Sequence, residues 1–387
     1  MSGTQKEQPM RPENVLPVAD GNAVVYCEGA FSSTYGKTAH GLVRFTRRYR
    51  VLSVIDSTLP TQDAGGYLDG KANGVNILPT LDAALEDARA RGHQISYFVI
   101  GLAPDGGVLG AGVREAVRDA LSRGLSVDSG LHEFIGDDPE LTRIARKQRA
   151  RIRDVRKTPG RLALHHFTGE IEQVGALRVA VLGTDSAVGK RTTAWILVRA
   201  LEEAGYNAQL VGTGQTAWMQ GARHSIILDS LINDFVSGEI EHAVVSAWKE
   251  ERPDVIVIEG QGSLMNPAYP GGFEILAAGR PHAVILQHAP ARKEYDGFPG
   301  YVLHPLDKQI AAITLLSGRK VVAVTVNHEG LTGDEIPAAC ARIEAETALP
   351  VCDPLVHGAS RLVEVLRTQC GLDEPGSTRK PDQRGGP

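Results

Sequence analysis

The sequence predicts an α/β protein made of two parallel-sheet domains. Its length of 387 residues exceeds what one hydrophobic core ordinarily supports. From residue 23 onward, short apolar runs alternate with amphipathic segments, which is typical of parallel strands joined by helices. A second series begins at residue 179, where an apolar strand enters a glycine-bounded turn and then a helix. We therefore predict two α/β domains, the second with a phosphate-binding loop.

Shifts in composition predict the domain boundaries. We expect the first domain to span residues 22–150 and the second to span residues 177–372. The stretch 151–176 contains several basic residues followed by Pro159-Gly160, and it is predicted to be a linker. Residues 1–21 and 373–387 are polar and contain proline and glycine, so we predict disordered tails at both ends.

Charge and cysteine content exclude several classes of protein. The formal net charge of −5 gives no basic surface of the kind that binds nucleic acid. Four cysteines lie far apart without metal-ligand spacing, which predicts a reducing compartment and no zinc site. No apolar run is long enough to span a bilayer, and the first residues do not resemble a signal peptide. We therefore expect a cytoplasmic protein that binds neither nucleic acid nor membranes.

The first domain alternates strands and helices in sequence order. Strands are predicted at 23–26, 51–55, 95–100 and 125–127, and helices at 38–45, 81–91 and 113–123. The turn after the first strand lacks the pattern G-x-G-x-x-G, so the sequence does not support a nicotinamide site. Asp56 ends the second strand, where an acid that binds a ribose could also lie. We favour the interpretation that it stabilises a turn or a helix start.

His132 lies in a loop that follows the predicted strand 125–127. Ligands of open α/β sheets bind outside the carboxyl ends of the strands, so this histidine is a candidate general base or substrate contact. A single histidine near a helix start is also commonly a cap or packing residue. Both interpretations remain open from the sequence.

The second domain begins with the predicted phosphate-binding loop. A glycine-bounded turn before a helix directs backbone N–H groups and the positive end of the helix dipole at an anion. Five residues separate its two glycines, and an arginine takes the place of the usual Ser or Thr after the lysine, as in a variant loop similar to that of dethiobiotin synthetase and related amide-forming ATPases. The predicted cofactor-binding residues are Gly183, Thr184, Asp185, Gly189, Lys190, Arg191, Thr192 and Thr193.

Polar residues follow the later strands of this domain at their carboxyl ends. Glu259 ends the apolar run 255–258, where a Walker-B carboxylate would hold a metal ion or its water, although a turn-capping role is the alternative. With Thr192, it would hold Mg²⁺ if the ligand is ATP. His288 is a further candidate base. The candidate substrate contacts are Gln215, Thr216, Gln261, Ser263 and Arg292.

Together, these motifs resemble the two-domain family of D-glutamate N-acetyltransferases, long described as a domain of unknown function. The resemblance runs from about residue 23 to 367 and implies a Rossmann-like N-terminal domain followed by a P-loop NTPase-like α/β domain. It also implies transfer of acetyl from acetyl-CoA to the amine of D-glutamate. The motifs that carry it are 124–132, Asp154-Val155-Arg156, the loop 183–190, Thr213-Gly214-Gln215-Thr216, Asp234-Phe235 and 259–264.

Two positions depart from the pattern of that family. Asn266 stands where the family has a histidine before proline, and Ala289 replaces the glutamate of H-E-P-x-R. The acceptor amine and the acyl group therefore stay open.

The sequence supports two enzymatic functions. The first is an amino-acid N-acyltransferase that uses acetyl-CoA as co-substrate, with Glu259, His288 and His132 as candidate catalytic residues. The second is an ATP- and Mg²⁺-dependent ligase or kinase that acts on an amino-acid carboxylate through the same loop. A nucleotide-sensing regulator is a third, non-enzymatic alternative. In either enzyme the substrate is an amino acid as a small molecule, and we expect a homo-oligomer.

Overall fold

The structure, a computed structural model, describes residues 20–375, and its N-terminal domain is built on a six-stranded sheet. All neighbouring strands are parallel, in the order β3-β2-β1-β4-β5-β6. The order reverses beside β1, as in doubly wound sheets. The strands are β1 Gly21–Tyr26, β2 Tyr49–Ile55, β3 Asn76–Leu78, β4 Tyr97–Ile100, β5 Ser126–Ser129 and β6 Ile152–Asp154.

Helices connect these strands and cover both faces of the sheet. Thr80 caps α3 by accepting a hydrogen bond from Ala83 N. Asp138 caps α5, with Pro139 in the first turn, where a missing N–H costs nothing. The helices are α1 Lys37–Arg44, α2 Ala64–Asp69, α3 Leu81–Ala90, α4 Ala111–Ser122 and α5 Pro139–Gln148.

The first domain is longer than its predicted limits of 22 and 150. Strand β6 pairs with β5, so the sheet ends at Asp154, inside the stretch predicted to be a linker. A strand of three residues has too little apolar periodicity to be recognised in the sequence. Strand β1 begins at Gly21, and Asp20 pairs with Arg48 and Arg153. Of the predicted tails, residues 1–19 and 376–387 lie outside the described residues.

The C-terminal domain is built on a seven-stranded parallel sheet with the order β13-β12-β11-β7-β10-β8-β9. Alternate residues of β7 enter separate cores: Val179 and Val181 pack on one face, and Ala180 and Leu182 on the other. The strands are β7 Leu177–Gly183, β8 Ala208–Gly212, β9 His224–Ser225, β10 Val255–Glu259, β11 Ala283–His288, β12 Val321–Val326 and β13 Val351–Cys352.

Eight helices of the described chain belong to this domain. They are α6 Lys190–Glu203, α7 Gln215–Met219, α8 Asn233–Glu251, α9 Phe273–Ala278, α10 Leu306–Ser317, α11 Glu335–Thr347, α12 Pro354–His357 and α13 Ser360–Cys370. Within residues 20–375, no helix combines the length and the apolar character needed to cross a membrane. The predicted α/β class with two parallel-sheet domains is confirmed.

Helix α7 and the residues around it attach the second domain to α1 of the first. The Gln220 side chain donates to the carbonyl oxygens of Gly41 and Phe45, at 2.8 and 2.9 Å. The guanidinium of Arg48 lies 3.7 Å from the centre of the Trp218 ring. Because α7 follows β8, these contacts place α1 beside the carboxyl edge of the second sheet.

Candidate functional site

The turn between β7 and α6 has the backbone geometry of an anion-binding loop. Ala187 has a φ of 51° and Gly189 a φ of 98°, and Gly189 immediately precedes the helix. Within the part of the chain that the structure describes, the N–H groups of Ala187, Val188 and Gly189 have no hydrogen-bond acceptor. Consecutive free N–H groups at a helix N-terminus form a site for a phosphate.

Lys190 supplies the ammonium group of this loop. Its Nζ donates to the carbonyl oxygens of Asp185 and Gly262, both at 2.7 Å. Burial lowers the pKa of Lys190 to about 8, although the nearby carboxylates of Asp185 and Glu259 oppose the shift. Among the described residues, the ammonium group donates only to neutral carbonyl groups, so an anionic ligand in the loop can attract it.

Arg191 occupies the place of the usual metal-binding hydroxyl and extends toward the first domain. Its Nη2 donates to the carbonyl oxygen of Lys37, the first residue of α1, at 3.2 Å. Its Nε is buried and has no hydrogen-bond partner among the described residues. Burial lowers the pKa of Arg191, while Glu259 opposes that shift. A buried cationic donor without a partner is suited to an anionic ligand.

The two threonines that follow are in different environments. The hydroxyl of Thr193 donates to Oε1 of Gln287 at 2.5 Å, and Thr325 donates to the same oxygen at 2.5 Å. Thr192 is half-buried, and no hydrogen bond of its hydroxyl is present within residues 20–375. The Thr193 hydroxyl is therefore used in the core of the domain. No described contact brings Thr192 together with Glu259, as a shared magnesium ion would require.

Glu259 lies buried at the end of β10, next to the loop. Its carboxylate accepts a hydrogen bond from Thr213 N at 2.9 Å. Burial raises the pKa of Glu259, and the positive charges of Arg191 and Lys190 partly counter that shift. A buried carboxylate whose pKa is raised is well placed to exchange a proton.

Asp185, predicted to contact the cofactor, instead holds the loop in place. It is fully buried, and its carboxylate accepts hydrogen bonds from Ser186 N, Asn266 Nδ2, Arg292 Nη1 and Asp296 N, at 2.7 to 2.8 Å. These four donors satisfy both oxygens, so the carboxylate faces the protein. Asp296 could not be predicted from the sequence, because a backbone donor leaves no signal in residue type.

Arg292, predicted to bind a substrate carboxylate, is already paired. Beyond Asp185, it donates to the carbonyl oxygen of Ser186 at 2.8 Å and to Glu329 at 2.6 Å. Asn266, one of the two departures from the family pattern, accepts hydrogen bonds from Ala268 N and Tyr269 N. Both side chains therefore shape the loops around Asp185.

The remaining predicted substrate contacts divide into two groups. Gln261 donates to the hydroxyl of Thr213 at 3.0 Å, and Ser263 has a buried hydroxyl without a partner in the described chain. Both line a small cavity beside Gly183. Thr216 instead makes a 3.0 Å hydrogen bond with Thr38 in the domain interface. Gln215 packs in the same interface, against Gly130.

His288 adjoins the phosphate loop. Its Nδ1 lies 3.0 Å from the hydroxyl of Thr184, and burial lowers its pKa to about 4, so the imidazole is neutral at neutral pH. It is therefore a hydrogen-bonding group and a weak base.

His132 lies elsewhere. It is exposed, and its backbone N donates to the carbonyl oxygen of Gly107. The desolvation that remains at this exposed position, together with the charge of Arg156, lowers its pKa. None of its described contacts is with the phosphate loop. The site thus gathers Lys190, Arg191, Glu259, Gln261, Ser263 and His288 but leaves His132 apart.

The sequence matches two family models that together cover most of the chain. Residues 57–158 match the domain of unknown function DUF1611_N, described as a Rossmann-like domain. Residues 165–363 match DUF1611_C, described as a P-loop domain.

Two curated relatives share the name D-glutamate N-acetyltransferase. The one from Tritonibacter scottomollicae is 32% identical over 309 residues, which cover 78% of this chain and 90% of the relative. The one from Pseudoalteromonas sp is 29% identical over 276 residues, which cover 70% of this chain and 80% of the relative.

A solved structure has the same two-domain architecture. It is the crystal structure of a DUF1611 family protein from Anabaena variabilis, with a TM-score of 0.82 and 28% sequence identity. The match covers 90% of this chain and 99% of that chain. With a Rossmann-like domain, a P-loop domain and relatives along most of its length, this chain belongs to the DUF1611 family and is a homologue of the two D-glutamate N-acetyltransferases.

Proposed function

We propose that this protein transfers an acetyl group from acetyl-CoA to the amine of an amino acid similar to D-glutamate. Two relatives that match most of the chain are named for this activity. An acyl donor and an amino-acid acceptor follow from the name of the activity. We further propose that the donor is acetyl-CoA and that the acceptor is D-glutamate or a similar amino acid.

The observation that carries the proposal is the chemistry of the phosphate loop. It offers the N–H groups of residues 187–189 and the ammonium group of Lys190, which suit the phosphates of coenzyme A. Where a magnesium-dependent ATPase has a hydroxyl for the metal, this loop has Arg191. The residues thus fit a bound phosphate group better than a metal-dependent phosphoryl transfer.

Arg191 is suited to the acceptor side of the reaction. Its Nε has no partner among the described residues, its charge acts on Glu259, and its Nη2 reaches the carbonyl oxygen of Lys37 in the first domain. An acidic amino acid carries carboxylates that a guanidinium binds through paired hydrogen bonds. In this arrangement Arg191 holds the acceptor so that its amine approaches Glu259.

Glu259 is the proposed general base. When acetyl-CoA is bound, it supplies the thioester; the amine nitrogen forms a bond to the acetyl carbon, and the carbon–sulfur bond breaks. The amine attacks in its neutral form, after its ammonium group has lost one proton to solvent. Glu259 accepts the second proton, which the nitrogen loses as the amide forms, and returns it to the departing thiolate. Burial, which raises its pKa, makes this carboxylate a stronger base than an exposed glutamate, and Thr213 N orients it.

Thiol release measured with purified protein tests the function. We expect acetyl-CoA and D-glutamate to release free thiol without ATP, and chelation of divalent metals to leave the rate unchanged. L-glutamate tests the chirality of the acceptor. Formation of ADP or AMP that depends on the amino acid would instead establish the ATP-dependent ligase and overturn the proposal.

Glu259→Gln tests the assignment of the base. It should lower kcat by roughly 10²- to 10⁴-fold while leaving the dissociation constant of acetyl-CoA nearly unchanged. Glu274→Gln, at a partly exposed position in the first turn of α9, is a matched control and should retain full activity. Equal kcat values for the two variants would remove Glu259 from the mechanism.

A further inference from the structure

Two loops at the rim of the phosphate loop meet in a small aromatic cluster. Tyr269 lies in the loop between β10 and α9, and Phe298 and Tyr301 lie in the loop between β11 and α10. The ring centroids of Tyr269 and Phe298 are 6.0 Å apart, and those of Phe298 and Tyr301 are 6.4 Å apart. We call these three residues the rim cluster.

The rim cluster leaves aromatic surface open to solvent. Tyr269 is 55% exposed and Tyr301 is 57% exposed. Their rings meet Phe298 edge to face, at interplanar angles of 67° and 83°. Edge-to-face pairing leaves ring faces uncovered, and such faces stack well on flat heteroaromatic rings.

Tyr269 is tied to the phosphate loop through Asn266. The Asn266 side chain accepts a hydrogen bond from Tyr269 N at 2.8 Å and donates to Asp185 at 2.7 Å. Gly262 provides a second connection, because its carbonyl oxygen accepts a hydrogen bond from Lys190 Nζ. Gly262 has a φ of 48°, and a Cβ there would lie 2.0 Å from Tyr269 O, so only glycine permits this approach.

Tyr301 is tied to the same carboxylate from the other loop. Asp296 N donates to Asp185 at 2.8 Å, and Tyr295 N donates to Tyr301 O at 2.9 Å. Both segments that carry the exposed rings are therefore anchored on one buried residue of the phosphate loop. Their position relative to Lys190 is set by short hydrogen bonds within the site.

We propose that the rim cluster binds the adenine ring of a nucleotide ligand whose phosphates lie in the phosphate loop. An adenine base is a flat heteroaromatic ring, and it is linked to its phosphates through a single ribose. Because hydrogen bonds connect both loops of the rim cluster directly to the phosphate loop, the proposal assigns the base to these neighbouring rings. If the ligand is acetyl-CoA, this inference rests on the proposed function. If the ligand is ATP or ADP, the rim cluster would bind the same adenine ring even though the proposed function fails.

Dissociation constants from calorimetry test this site. Tyr269→Ala and Tyr301→Ala should each weaken the binding of acetyl-CoA by about tenfold, the usual effect of losing one stacked base. Tyr269→Phe should bind like the wild type, because stacking needs the ring and not the hydroxyl. Acetyl-4′-phosphopantetheine, which lacks the adenine, should bind equally to the wild type and both alanine variants.

Two controls separate stacking from a loss of structure. Leu315→Ala removes an exposed apolar side chain from α10 and should leave every dissociation constant unchanged. At saturating acetyl-CoA, kcat of the two tyrosine-to-alanine variants should match that of the wild type, so that the effect falls on KM alone.

The result also distinguishes the two proposals. If the wild type binds ADP but not acetyl-CoA, and the alanine variants lose ADP affinity, the rim site stands and the proposed function fails. If the wild type binds acetyl-CoA and both variants bind it equally well, the rim site is overturned and the proposed function is unaffected. A wild type that binds neither ligand overturns the rim site.

Discussion

The first βα turn of each domain follows an inner strand of a parallel sheet, yet the two turns differ in how their backbone donors are used. In the N-terminal turn, Gly29 N and Phe31 N donate to Asp56 at 3.1 and 2.9 Å. In the C-terminal turn, the N–H groups of residues 187–189 have no acceptor in the described chain, and Lys190 follows them. The N-terminal turn binds a carboxylate of the protein itself, whereas the C-terminal turn is open to an anionic ligand.

Asp56 explains the difference. It is fully buried, and Thr58 adds two further hydrogen bonds, from its N and from its hydroxyl. Burial raises the pKa of Asp56, but these hydrogen bonds outweigh burial and lower it overall. The prediction that Asp56 stabilises a turn is confirmed. In the first sheet, β2 lies beside β1 and brings Asp56 to the turn, whereas in the second sheet β10 separates β7 from β8. A βα turn can therefore either bind a ligand or be closed by a carboxylate of the protein, according to what the neighbouring strand end supplies.

Lys190→Ala removes the cation that distinguishes the open turn. We expect acetyl-CoA to bind about 100-fold more weakly, because a charge-assisted hydrogen bond to phosphate is lost. Calorimetry measures the affinity. Lys249→Ala, which removes a surface lysine paired with Glu170, is the control and should leave binding intact. Full affinity in Lys190→Ala would show that both turns are structural.

Asp56→Ala removes the carboxylate that accepts hydrogen bonds from the N–H groups of the N-terminal turn. It should lower the free energy of unfolding by about 2 kcal/mol, because buried N–H groups lose their acceptor, and leave acetyl-CoA affinity unchanged. Inorganic phosphate should raise the Tm of this variant more than that of the wild type, since an anion can replace the carboxylate. Denaturant and thermal unfolding measure both effects. Reduced acetyl-CoA affinity at unchanged stability would contradict the structural role.

The pH dependence of binding reports on Lys190. Its pKa of about 8 in the free protein means that the charge is present below that pH and is lost above it. The dissociation constant of acetyl-CoA should therefore be constant up to about pH 8 and then rise by up to tenfold per pH unit. Lys190→Arg, which stays charged, should remove this rise. A rise that persists in that variant would assign it to another group.

Thr192→Val tests whether the open turn uses a metal. If Thr192 does not bind magnesium, the Thr192→Val variant should differ from the wild type by less than about twofold in activity and by less than about 0.5 kcal/mol in the free energy of unfolding. Thr193→Val is the matched comparison, and it should lose about 1 kcal/mol of stability because the hydrogen bond to Gln287 is removed. A large loss of activity in Thr192→Val, restored by excess Mg²⁺, would favour the ATP-dependent alternative.

The sequence predicted the features that depend on local pattern. Apolar runs predicted the long strands, such as β7 and β10, and placed Glu259 at a strand end beside the loop. Short elements such as β3 and β6 were missed, because three residues carry too little periodicity. The resemblance to the family was confirmed by matches along most of the chain.

The roles of charged side chains in the site were decided by tertiary structure alone. Asp185 and Arg292 are separated by 107 positions, yet they form a buried pair that holds two loops. The sequence shows that a position carries a carboxylate or a guanidinium, but it does not show whether that group contacts a ligand or another side chain. Its role depends on which donors and acceptors the folded chain brings within hydrogen-bond distance, and those partners come from distant segments. The sequence by itself therefore determined that a phosphate-binding loop exists and where its glycines and Lys190 lie. The tertiary structure decided that Asp185 and Arg292 support that loop; that Lys190, Arg191 and Glu259 act on a ligand remains our proposal.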